Sequence, residues 1–108
     1  MIEQAKYSKG QPKVFVDIDE TICFYPQKRI YELAVPSKEN IEKINSLYDE
    51  GAHITYYTAR GSLTGANYYD LTKKQLDSWG CKYHDLSVGE KPLFDLLIDD
   101  RAKRIEEL

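Results

Sequence analysis

The chain is poor in the residues that staple a protein together or commit it electrostatically. Only two cysteines, Cys23 and Cys81, occur in 108 residues. They lie far apart and show neither CxxC nor zinc-finger spacing, which excludes a disulfide-knit or zinc-knit scaffold. Free buried thiols in a reducing, cytoplasmic setting are the expectation. No apolar run approaches the roughly 20 residues of a membrane-spanning helix, and the first residues lack the apolar stretch of a secretory signal, so no membrane partner is expected. Positive charge is not in excess either: 15 Lys and Arg stand against 18 Asp and Glu, a formal charge of −3 with an isoelectric point near 5.4. That balance gives no general basic field to attract nucleic acid or an anionic membrane. Repeats and low-complexity tracts are absent, and the length suits one domain spanning the whole chain, residues 1–108.

What the chain does have is two pairs of aspartates, each ending an apolar run. The first lies in Val14-Phe15-Val16-Asp17-Ile18-Asp19-Glu20-Thr21, the second in Phe94-Asp95-Leu96-Leu97-Ile98-Asp99-Asp100. Both runs read as buried strands whose acids sit where the strand leaves the core. Four carboxylates at neighbouring strand ends repel one another unless a cation sits among them. Oxygen ligands of that kind suit a hard divalent metal, so Mg²⁺ is the expected cofactor.

The rest of the chain alternates. Met1 to Gln11 reads as a polar lead-in, and Lys13 to Ile18 as strand one. Asp19 to Pro36 is too short for an added domain and fits a small turn with a hairpin-like flap. Ser37 offers an N-cap to a helix marked by Ile41, Ile44, Leu47 and Tyr48, which Gly51 ends in a left-handed conformation. His53 to Thr58 is the second strand. Tyr68, Leu71, Gln75, Leu76 and Trp79 trace another helix ended by Gly80, with Tyr68 and Trp79 expected in the core. Cys81 to Leu86 reads as strand three and Phe94 to Ile98 as strand four, with Lys91 in the loop between. Arg101 to Leu108 reads as a helix start. Strands separated by helices give an α/β domain with a parallel sheet, and right-handed crossovers bring the carboxyl ends of all strands to one edge. With strands two and three on one side of strand one and strand four on the other, a crevice lies above Asp17.

Asp17-Ile18-Asp19-Glu20-Thr21, Thr58 after an apolar strand, Lys91, and Asp99-Asp100 after another strand together resemble the four motifs of the haloacid dehalogenase superfamily, in their usual order. The resemblance implies a Rossmann-like three-layer sandwich around a parallel sheet of four strands. It implies a Mg²⁺-dependent phosphatase in which Asp17 is the nucleophile, becoming an aspartyl-phosphate, and Asp19 the acid and base. The Asp17 carboxylate, the Asp19 backbone carbonyl and Asp99 would ligate the metal, with Asp100 either assisting or holding a water ligand. Thr58 would bind phosphate oxygens and Lys91 would neutralise their charge. Phosphoryl transfer needs just such an in-line nucleophile, a proton donor and surrounding cations.

Two departures from the pattern stand out. Glu20 occupies a position where many members carry Gly, so the backbone there is less permissive. The chain also stops soon after strand four, where the superfamily commonly has a fifth strand. Neither insertion point holds a cap domain, so the chain resembles a capless member, and an open site needs either a neighbouring subunit to cover it or a large substrate. Thr21, Tyr25, Arg29, Tyr31 and Arg60 are the candidate substrate contacts. Tyr57-Thr58-Ala59-Arg60-Gly61, with Gln75-Leu76-Asp77-Ser78-Trp79-Gly80 and Lys82-Tyr83-His84-Asp85-Leu86 downstream, also resembles small phosphatases of bacterial surface-polysaccharide sugar pathways, which implies a sugar phosphate or related small phosphomonoester. A fainter similarity runs to polynucleotide 3′-phosphatase domains, and a non-hydrolysing phosphate-binding module is the alternative of a different class. His84 beside Asp85 reads as a structural strand-end histidine, and His53 as inert.

Overall fold

In a computed structural model, which describes residues 11–89, 96–98 and 105–108, the first apolar run forms strand β1 (Lys13–Asp17). Val14 and Val16 are buried while Lys13 is exposed and Phe15 half-buried, the alternation expected of a strand whose faces differ in environment. The second strand of the main sheet, β4 (His53–Thr58), follows two short flap strands, β2 (Cys23–Phe24) and β3 (Val35–Pro36), and helix α1 (Lys38–Asp49). Every residue of β4 from Ile54 to Thr58 is buried, as for a central strand of a parallel sheet. Helix α2 (Tyr69–Ser78), β5 (Asp85–Val88) and β6 (Leu96–Ile98) complete the main elements.

The four strands run parallel in the order β5-β4-β1-β6, with Val14 beside Ile54 and Asp17 beside Tyr57 on one flank of β1. On the other flank Val16 lies beside Ile98. The chain steps outward from β1 through β4 to β5, then returns to the far side of β1. The order reverses there, as the α/β reading requires, and the carboxyl ends of β1 and β6 flank that point.

The local signals behind α1 hold. Ser37 Oγ accepts the Asn40 backbone N–H at 3.3 Å, and Ile41 and Ile44 are buried. Gly51 adopts φ +106° and closes the helix, its N–H donating to the Tyr48 carbonyl at 3.0 Å. Asn40 Nδ2 also donates to the Thr21 carbonyl at 2.9 Å, tying the helix start to the turn after β1.

Strand three departs from expectation, beginning at Asp85 rather than Cys81. The backbone ahead of it is spent on helix ends: the Cys81 N–H donates to the Leu76 carbonyl at 3.0 Å and the Lys82 N–H to Asn45 Oδ1 at 2.8 Å. His84 then pairs with β4 through both chain and side chain. Its N–H donates to the Ile54 carbonyl at 2.9 Å, and its Nδ1 accepts the Ile54 N–H at 3.1 Å. This is the structural histidine expected, carrying its ring proton on Nε2 in this arrangement. His53 stacks on His84, and its Nε2 lies 3.1 Å from Asp85 Oδ2. Trp79 packs against the core partly buried, whereas Tyr68 turns to a cleft described below. The lead-in to Gly10 and the start of strand four at Phe94 lie outside the described residues. Of the tail, residues 105–107 form a 3-10 turn. No helix among the described residues is long and apolar enough to cross a membrane.

The turn after β1 is the strained element. The Thr21 and Ile22 N–H groups both donate to the Ile18 carbonyl, at 3.2 and 3.0 Å, and the Glu20 N–H donates to the Cys23 carbonyl at 2.9 Å. Closing it this way puts Glu20 at φ +65°, among the described residues the only non-glycine in the left-handed region. That conformation costs an L-residue roughly 1–2 kcal/mol, part of which glycine returns as lost unfolded-state entropy. Glu20→Gly is therefore expected to raise unfolding free energy by roughly 0.5–1 kcal/mol in urea titrations. A loss of stability of that size would contradict the assignment.

Candidate active site

The carboxyl edge of the sheet opens into a cleft of about 370 Å³. Its floor carries Asp17, Asp19 and Thr58, contributed by the end of β1, the turn that follows it and the end of β4. One wall is the flap, through Arg29 and Tyr31, and the other is the loop after β4, through Ser62, Leu63 and Thr64. Gly61 shapes that second wall. Its φ is +84°, and a Cβ there would lie 2.1 Å from the Ala66 carbonyl oxygen, so the loop folds back on itself only with glycine at this place.

The dominant interaction is a buried ion pair between Asp19 and Arg60. Arg60 Nη2 donates to Asp19 Oδ1 at 2.8 Å and Nε to Oδ2 at 3.1 Å, a bidentate fork between side chains 0% and 7% exposed. Asp19 also accepts from the Thr58 hydroxyl at 3.1 Å, from the Tyr25 hydroxyl, and from the Cys23 thiol at 3.6 Å. Burial alone would push its carboxyl up. The hydrogen bonds from Arg60 and Tyr25, the Arg60 charge and the Thr58 hydroxyl outweigh that and hold it below the ordinary carboxylate value. Arg60 is held protonated by the same bonds against its own burial. Burial, with the Asp19 charge beside it, pushes the Cys23 thiol up to about 12, which makes it a packing residue and a poor nucleophile.

A guanidinium has five N–H donors, and Arg60 spends all of them inside the protein. Beyond the three N–H bonds to Asp19 and Tyr25, Nη1 donates to Thr72 Oγ1 at 3.1 Å and to Gln75 Oε1 at 2.7 Å. Its plane also lies over the Tyr31 ring, 4.7 Å from the centroid. Gln75 completes the clamp by donating Nε2 to the Tyr31 carbonyl at 2.6 Å, so helix α2 holds the flap through one side chain. Nothing in the sequence marks Thr72 and Gln75 as site residues beyond their place on α2. Their spacing of three residues puts both on the face that meets Arg60.

Of the residues singled out from the sequence, Asp17, Asp19, Thr58, Arg29, Tyr31 and Arg60 line this one cleft. Tyr25 sits behind Asp19, its hydroxyl shared with Arg60 at 3.2 Å. Thr21 is 2% exposed in the turn after β1 and does not reach the cleft lining. Lys91, Asp99 and Asp100 lie outside the described residues. Ile98, which directly precedes Asp99 in the chain, is paired with Val16, which directly precedes Asp17. Among the described residues no three acidic, histidine or cysteine groups are gathered to hold a metal. Asp17 and the Asp19 carbonyl are hard oxygen donors that suit Mg²⁺, while the Asp19 carboxylate is already committed to Arg60.

No family model matches this chain, and no curated protein does. Among solved structures it is similar to a crystal structure of a target from Vibrio cholerae, at 25% identity and a TM-score of 0.71, covering 90% of this chain and 86% of the other. That likeness concerns the α/β architecture.

The ion pair sets a stability test with a definite sign. Removing one partner of a buried pair typically costs about 3–5 kcal/mol, because the other charge is left uncompensated. Arg60→Met should fall in that range at neutral pH, and adding Asp19→Asn to it should recover a large part of the loss. The stabilisation exists above the unfolded aspartate value of roughly 4 and is lost as pH falls through the depressed folded one. The deficit of Arg60→Met relative to wild type should therefore narrow in urea titrations below about pH 4. A deficit independent of both pH and Asp19 would contradict the pairing.

Proposed function

We propose that this chain is a Mg²⁺-dependent phosphomonoester hydrolase of the haloacid dehalogenase type, without a cap domain, acting through an aspartyl-phosphate on a sugar phosphate or related small metabolite. The reading draws on the ordered sequence motifs. The observation that carries it is that Asp17 and Thr58, far apart in the chain, line one cleft at the carboxyl edge of a parallel sheet, beside its reversal point. A parallel α/β sheet of order β5-β4-β1-β6 is compatible with a Rossmann-like fold.

In this mechanism an Asp17 oxygen attacks phosphorus and the bond to the leaving oxygen breaks. Water then attacks the same phosphorus, releasing phosphate and restoring the carboxylate. Thr58, at the end of β4, would turn its hydroxyl from Asp19, to which it donates at 3.1 Å, to the phosphoryl oxygens, and Lys91 would supply positive charge to them. Asp17, the Asp19 carbonyl and Asp99 would hold Mg²⁺, with Asp100 either assisting or holding a water ligand, and the ion would supply charge to offset that on the transferring group. The acid and base role of Asp19 requires one of its oxygens to be released from Arg60, since all close donors now favour its ionised form. That same commitment is what favours the second reading, a phosphate-binding module that does not hydrolyse.

Phosphate release from p-nitrophenyl phosphate and a panel of sugar phosphates decides between the two. Turnover that EDTA abolishes, that Mg²⁺ restores and that Asp17→Asn lowers by at least about 10³-fold is the expected outcome. Phosphate binding without turnover above the Asp17→Asn background would establish the module instead. Preference for 3′-phosphorylated oligonucleotides would replace the sugar phosphate by a polynucleotide end.

A further inference from the structure

The sequence offers two arginines for the cleft, and the structure separates their duties. Arg60 has no donor left for a ligand, because all five N–H groups end on Asp19, Tyr25, Thr72 and Gln75. Arg29 differs on every count. It lies on the flap wall of the same cleft, its side chain is 51% exposed, and among the described residues its ion-pair partner is Glu20 at 3.6 Å. A contact that long between two largely solvated side chains is worth little and is readily exchanged for another anion.

Depth then assigns what Arg29 meets. Thr58 is 1% exposed and Asp19 8%, so the floor to which the phosphohydrolase reading assigns the phosphoryl end is buried, whereas Arg29 stands at the mouth. Arg29 is not loose there. Its guanidinium lies 5.7 Å from the centre of the Tyr25 ring, and the Tyr25 hydroxyl is bonded to Asp19. The mouth cation is thus referenced to the floor through one aromatic side chain. Across the cleft, Ser62 and Thr64 bring hydroxyls to the opposite wall. A planar guanidinium with unspent donors suits a carboxylate or phosphate, which it can grip with two parallel hydrogen bonds.

We infer that the cleft selects a phosphomonoester carrying a second anionic group, a carboxylate or another phosphate, which Arg29 binds at the mouth while the first phosphoryl group lies on the floor. This rests on the phosphohydrolase reading above. About 370 Å³ is room for a small metabolite of this kind.

Matched probes test it in the presence of Mg²⁺: 3-phosphoglycerate against glycerol 3-phosphate, 6-phosphogluconate against glucose 6-phosphate, and fructose 1,6-bisphosphate against fructose 6-phosphate. The first two pairs add a carboxylate and the third a phosphate, so the arms tell the two sources apart. In at least one class kcat/KM should favour the doubly anionic member by about tenfold or more, the worth of one charge-assisted contact. Arg29→Gln should bring that ratio near one through KM, and Arg29→Lys should retain part of it. Equal rates within every pair in the wild type would overturn the inference. So would a ratio that survives Arg29→Gln because both members fall together, since Arg29 would then serve the transferring phosphoryl group. Hydrolysis of none of the six probes, or of p-nitrophenyl phosphate, would instead remove the phosphohydrolase reading and this inference with it.

Discussion

The Asp19 to Arg60 ion pair is the constraint on which this molecule's site depends. Two opposite charges buried at the end of a parallel sheet are tolerable only if every lone pair and donor is matched, and here they are matched closely. The matching partners come from three different segments. Tyr25 belongs to the flap, Thr58 to β4, Thr72 and Gln75 to α2, and Tyr31 covers the guanidinium from the flap side. Satisfying one buried arginine therefore assembles the floor and one wall of the cleft. Hydrophobic burial builds the sheet, with Val16, Ile54 and Ile44 wholly inside, but it does not specify where the flap docks. The polar clamp does that.

This division has a functional consequence. A cation at the centre of the cleft is spent on structure, so under the proposed function ligand recognition would pass to the rest of the lining. On the floor that leaves the strand-end carboxylate of Asp17, while the Thr58 hydroxyl is already given to Asp19. At the mouth it leaves Arg29 and the Gly61 loop. The same pair also sets a condition on chemistry, because a carboxylate gripped by a bidentate arginine is a poor proton donor until the grip loosens. In the proposed mechanism, proton transfer at Asp19 would therefore require Arg60 to move.

Much of the fold was legible in the sequence because its signals are local. Ser37 and Gly51 bound α1, the β-branched runs mark β1 and β4, and the position of Asp17 and Thr58 at strand ends follows from where those runs stop. The strand order entered only as a condition for a crevice above Asp17, and the pairing of β6 with the far flank of β1 meets it. What was not legible depends on contacts between distant segments. The strand at Cys81 starts four residues late because Asn45 and Leu76 claim the backbone ahead of it. Tyr68 has the helical spacing of a core residue but meets Tyr31 edge-on at the cleft. Arg60 beside Thr58 suggested a substrate contact, and only the count of its five donors shows that it faces inward. The Glu20 anomaly was visible as an unusual residue type, and its left-handed backbone supplies the reason.

The central claim is that Asp17 takes the phosphoryl group itself, which is open to direct chemical capture. Enzyme turning over a phosphomonoester with Mg²⁺ can be quenched in borohydride, which reduces an acyl phosphate to a primary alcohol and leaves free carboxylates untouched. Peptide mass spectrometry should then find homoserine in place of Asp17 and at no other aspartate, and only when substrate was present. Sustained turnover with Asp17 unreduced, or with the reduction at a different residue, would contradict the account.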